Sequence, residues 1–131
     1  MSVEDLKQSQ MMNHMLEALE NGEDIGHYGR LTFAMVGVYF ANDDELVQVM
    51  TQDHDADERE IRAMVQQVRE KGYNPPNRDK ILEWQQKQDF QICPNPDDPD
   101  ACNVYSELDI PQAVLEDIQE YRAEEQAVSE S

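Results

Sequence analysis

The chain has 131 residues, 39% hydrophobic and 30% charged, and its 29 acidic against 10 basic side chains leave a net charge of −19. That length and apolar content describe one domain with a modest core, neither two domains nor a wholly disordered chain. So acidic a surface repels nucleic-acid phosphates at long range, and the longest uncharged apolar stretch, Leu31 to Ala41, falls far short of the roughly 20 residues that cross a bilayer.

Three readings of the acidity compete: solvation of a protein in a cytoplasm of very high salt, a docking surface for a basic partner, or mimicry of nucleic acid. The acids run through every segment and the chain holds four lysines. Even spreading fits salt adaptation better than a single docking patch. Glu4 and Asp5 follow close behind Met1 with neither a basic nor an apolar leader region, so no signal peptide is expected and a cytoplasmic location follows by default.

In chain order, Leu6, Met12, Met15, Leu16 and Leu19 form a helical stripe over Glu4 to Asn21, with Gly22 as its stop. A short link, Glu23 to Gly26, leads to Leu31, Phe33, Ala34, Met35, Val36, Val38, Tyr39 and Phe40, apolar on all sides. Periodicity cannot separate strand from buried helix in such a run. Its β-branched content argues for strand; its length and helical neighbours argue for a central helix, which is the reading adopted. Asn42 or Asp43 can cap a helix carrying Leu46, Val47, Val49 and Met50. After an acidic break at Asp53 to Asp57, residues Ile61, Met64, Val65 and Val68 recur at helical spacing up to Gly72. The Tyr73-Asn74-Pro75-Pro76 turn excludes helix, and Asn77 can cap a further one through Ile81, Leu82 and Trp84. Cys93 to Asn103 is a Pro/Asp-rich loop. Pro111 opens a last helix with Val114, Leu115, Ile118 and Tyr121. The expected architecture is therefore all-α: a single compact bundle of about six helices over residues 1–123, with a polar tail at 124–131 expected to fray.

The chemistry-bearing residues are few. Asp53-His54-Asp55-Ala56-Asp57 alternates carboxylates as a calcium loop does, but Glu58 stands where the turn glycine is needed and Met64 where the bidentate glutamate belongs. A solvated acidic loop with Asp57 as helix cap is the better reading. Cys93 and Cys102 sit in a Pro/Asp loop; in a reducing cytoplasm they read as two ordinary thiols. Two thiolates cannot close a zinc site or hold an iron–sulfur cluster, and no metal-like spacing ties them to His14, His27 or His54. His27-Tyr28-Gly29-Arg30, just before the apolar helix, could contact phosphate or a base. The competing and favoured reading pairs Arg30 with a carboxylate and uses His27 to cap a helix start. Trp84 reads as core rather than as a stacking platform. No glycine-rich phosphate loop, nucleophile elbow or Cys/His pairing is present, so no catalytic residue and no cofactor are expected.

Read in order, Asn21-Gly22-Glu23-Asp24, His27-Tyr28-Gly29-Arg30-Leu31-Thr32-Phe33-Ala34, the acidic helix Asn42 to Met50, the turn Asp53 to Glu58, Tyr73-Asn74-Pro75-Pro76, Ile92-Cys93-Pro94 and Cys102 form a pattern. It resembles the C-terminal helical, iron–sulfur domain of the archaeal and eukaryotic DNA primase large subunit, over Met11 to Cys102. That family holds a [4Fe–4S] cluster on four cysteines. Cys93 and Cys102 stand at two matching positions, whereas Met11 and Arg78 occupy the others and supply no thiolate, so the resemblance implies a relative without the cluster. The family domain binds template and the 5′ end of the primer, which points to His27, Tyr28 and Arg30 here. The resulting expectation is a non-catalytic interaction domain for single-stranded nucleic acid or a replication protein. The alternative is a salt-adapted acidic adaptor that docks a basic protein and no nucleic acid. Neither expectation involves a membrane.

Overall fold

A serine divides the first apolar stripe. In the computed structural model, which describes residues 3–52, 56–98, 101–104 and 108, Val3–Gln8 is a short 3-10 helix and α1 begins at Gln10, running to Glu20. Ser9 is the reason: its hydroxyl accepts from Met12 N at 3.3 Å, the side-chain-to-backbone bond that starts a helix. The single helix expected over Glu4 to Asn21 is thus corrected to two. Gly22 ends the second with φ +75°, as a C′ glycine should.

The apolar run resolves as helix. α2 spans Gly26–Gly37 and buries Gly29 and every residue from Thr32 to Gly37, the burial expected of a central helix. It touches α1, α3 (Asp43–Met50), α4 (Glu58–Lys71) and α5 (Arg78–Gln85). The expected caps are in place: Asn42, Asp57 and Asn77 each accept a backbone N–H in the first turn of the helix they open, and Gly72 closes α4 in the left-handed conformation. No strand occurs among the described residues. The architecture is an all-α bundle.

Phe33, Met11, Met12, Met15, Leu19, Leu46, Met50 and Ile81 are fully buried. Each contributes about 1.5–3 kcal/mol relative to exposure. Arg69 of α4 ties the α2–α3 corner together: its Nε reaches Asp43 Oδ1 at 2.6 Å and its Nη2 reaches Ala41 O at 3.1 Å. The last expected helix, from Pro111, and the tail lie outside the described residues.

Candidate interaction site

The His27 to Arg30 motif does not precede α2; it is the first turn of it. That corrects two expectations. His27 caps nothing, because the N-cap residue is Ile25 and makes no side-chain cap bond. The exposed backbone donors of that turn are met from elsewhere: Asp24 Oδ1 accepts from Gly26 N at 2.8 Å, and Gln88 Oε1 accepts from Tyr28 N at 2.9 Å. Gln88 also donates to Ile25 O at 2.9 Å. A glutamine sixty residues away in sequence therefore does a capping residue's work, and nothing local in the sequence marks it. Gly26 is required there. Its φ is +78°, and a Cβ would stand 2.5 Å from Gln88 Oε1.

Arg30 pairs with a carboxylate, as the favoured reading held: Nη2 lies 2.8 Å from Asp24 Oδ1, with the arginine side chain 19% exposed. His27 is exposed and meets Tyr28 edge-on at 5.3 Å between ring centroids. Tyr28 in turn stacks on Trp84 at 5.6 Å. Trp84 is half-buried rather than core, so its ring forms a wall at the edge of the bundle. Two of the four lysines approach this pair. Lys80 Nζ is 6.0 Å from the Trp84 ring and Lys87 Nζ is 5.9 Å from the Tyr28 ring, near the outer limit of cation–π attraction. Both also reach Glu83, at 3.5 and 3.7 Å.

Beside this wall, α2 and α4 leave a groove of about 720 Å³. Leu31 and Met35 of α2, Ala63 and Met64 of α4, Tyr73 and Trp84 line it, with the buried Val68 beneath them. Glu60, Gln67 and His27 supply the polar rim. Tyr73 is 41% exposed, a large apolar side chain on open surface. Met64 belongs to the amphipathic stripe of α4, but Ile61, Val65 and Val68 turn into the core while Met64 stays half-buried in the groove. The stripe is one residue wider than the core behind it. That excess width, together with Tyr73 after Gly72, is the sequence signal that would have found the groove.

The cysteines overturn the reading of two ordinary thiols. Cys93 and Cys102 are joined in a disulfide, with Cα atoms 5.6 Å apart and both residues fully buried. That reading weighed compartment and not geometry: the turn at Asn95 to Asp98 folds the loop back, and Ala101 N donates to Asp98 O at 3.1 Å. Arg78 donates to Pro96 O inside this loop. Met11 lies fully buried on α1, one turn before His14, which bonds Gln91 O at 2.9 Å and stacks on Phe90. Of the four positions matched to the family's cysteines, Cys93 and Cys102 are bonded and Arg78 reaches their loop.

Among the described residues, no three His, Cys, Asp or Glu side chains are grouped so as to hold a metal ion, and no helix is long and apolar enough to cross a membrane. Asp53 to Asp55 lie outside the described residues; Asp57 is the cap of α4. No protein-family model, no curated protein and no solved structure matches this chain.

Proposed function

We propose that this protein is a non-catalytic helical interaction domain whose α2–α4 groove receives an amphipathic helix with a basic polar face from a partner protein. The observation that carries the reading is the groove itself. It is apolar along its floor, edged by Trp84 and Tyr73, and contains two methionines, whose flexible thioethers adapt to partner side chains. Helix-in-groove recognition asks for such a surface, and aromatic side chains at its margin are the usual energetic anchors. The partner's chemistry follows from charge. A domain at −19 attracts a cationic helix, accelerates its encounter and rejects an acidic one.

The test uses a designed amphipathic helical peptide of Leu and Lys and its Leu/Glu counterpart. Trp84, the sole tryptophan, reports binding by its fluorescence. The Leu/Lys peptide should bind, and Trp84→Ala or Met64→Glu should weaken it roughly tenfold or more, read by a calorimetric method. Equal affinity for both peptides, or binding indifferent to Met64→Glu, removes the proposal.

A second reading is favoured by the Tyr28–Trp84 stack with Lys80 and Lys87 beside it. Stacked aromatics flanked by cations suit single-stranded nucleic acid. The relation to the primase large-subunit domain, and with it a role beside a replication protein, belongs to this reading; what supports it is the pairing of Cys93 with Cys102 and the contact of Arg78 with their loop. Arg30 contributes least to it, being held by Asp24. Single-stranded oligonucleotide binding that is lost in Trp84→Ala, and weakened in Lys87→Gln more than in Arg30→Gln, favours this reading over protein docking.

A further inference from the structure

The disulfide does not stand apart from the groove. Gln85, the last residue of α5, follows Trp84 directly and accepts from Cys93 N through Oε1 at 2.8 Å. Gln91 donates to Cys93 O at 2.8 Å. Three residues before that glutamine, Gln88 holds Ile25 O and Tyr28 N and also donates to Phe90 O at 3.1 Å. One short segment, Gln85 to Cys93, therefore links the cysteine pair to Trp84, which lines the groove, and to Tyr28, which stacks on it. The far side of the pair is equally engaged. Ala101, Cys102 and Val104 are buried to 1% exposure or less, and Cys102 takes φ +67°, a left-handed conformation that costs a non-glycine residue about 1–2 kcal/mol. A residue is kept in that conformation when its surroundings over-determine it, and the bond to Cys93 is such a constraint.

We infer that the Cys93–Cys102 disulfide is a redox clasp that sets the aromatic pair at the groove's edge: oxidised, it holds Gln85 to Asp98 against the bundle and keeps Trp84, which lines the groove, and Tyr28, stacked on it, in place; reduced, it loosens them and weakens docking. This rests on the groove reading proposed above. In a cytoplasmic protein a disulfide belongs to the transient, redox-sensing class rather than the permanent one. The reductant is a cellular dithiol. Its thiolate attacks one cysteine sulfur to give a mixed disulfide, and its second thiol displaces the protein. Cys93 and Cys102 leave as two thiols, having gained two electrons and two protons, while the dithiol becomes a disulfide. Both cysteines are buried, so attack requires local opening of the loop, whose residues Pro94, Asn95 and Asp97 are exposed. The clasp is thus slow to release and closes again when oxidised.

The test compares the oxidised full-length chain, the same chain reduced with dithiothreitol, and Cys93→Ser/Cys102→Ser. Amide hydrogen exchange and the affinity for the Leu/Lys peptide are read on each. Reduction should raise exchange at Tyr28 N and Cys93 N roughly tenfold or more while Val65 N in α4 stays protected, and should weaken peptide binding severalfold, with reoxidation restoring both. The double serine variant should match the reduced protein. Unchanged exchange at Tyr28 N overturns the clasp. A rise at Val65 N as well means that reduction unfolds the whole domain, and the pair is then a staple and not a switch. Exchange that changes while peptide affinity does not also overturns the switch. Should the peptide bind neither form, the groove reading fails by itself, and the exchange at Tyr28 N still decides whether the clasp controls the wall.

Discussion

Methionine serves two different purposes on the two sides of α2. Toward α1, Met11, Met12 and Met15 are fully buried and fill the core. Toward α4, Met35 and Met64 line a groove, Met35 at the margin of the core and Met64 half-buried. The residue type is the same and each methionine sits on the apolar stripe of its own helix, so neither composition nor periodicity separates them. What separates them is cover. The 3-10 helix and the residues around Phe90 to Cys93 close over α1, whereas no described element lies across the α2–α4 groove. An apolar stripe is core only where a second element arrives to bury it.

Substitutions on the two sides test that difference. Met15→Ala, in the filled half, should destabilise by about 3 kcal/mol, the cost of a buried methionine truncated to a cavity; urea denaturation measures it. Next comes Gly26→Ala at the start of α2, where a left-handed φ and the approach of Gln88 make any Cβ unwelcome. About 2 kcal/mol should be lost, with the Tyr28 amide exchanging faster as Gln88 withdraws. Thr32→Val should act in the opposite direction. Thr32 is fully buried and its hydroxyl finds no hydrogen-bond partner among the described residues. Replacing that hydroxyl with a methyl of the same shape should stabilise by about 1 kcal/mol, seen as a raised Tm. Smallest of the losses is Met64→Ala, expected to cost about 1 kcal/mol, since Met64 is only partly buried and its neighbours can relax toward solvent. If Met64→Ala costs as much as Met15→Ala, the groove is not open and the comparison fails.

Much of the fold was legible because it rests on local chemistry. Asn42, Asp57 and Asn77 cap helices by bonds within three residues, and Gly22 and Gly72 end them by a conformation that glycine adopts freely. The site was less legible. Arg30 pairs with Asp24 six residues away, which a sequence full of carboxylates makes easy to anticipate. Gln88 over Tyr28 and Tyr28 against Trp84 join residues some sixty apart, and no local pattern encodes them.

By itself the sequence determined an all-α bundle, its helix boundaries at five caps and stops, and an acidic surface, because propensity, capping and charge are properties of short segments. Only the tertiary structure decided three things: that the central helix adopted for the apolar run touches four others, that Cys93 and Cys102 come together, and that Met64 stays half-buried among the described residues. Each depends on which distant segments meet, and that is settled by packing the whole chain rather than by any stretch of it.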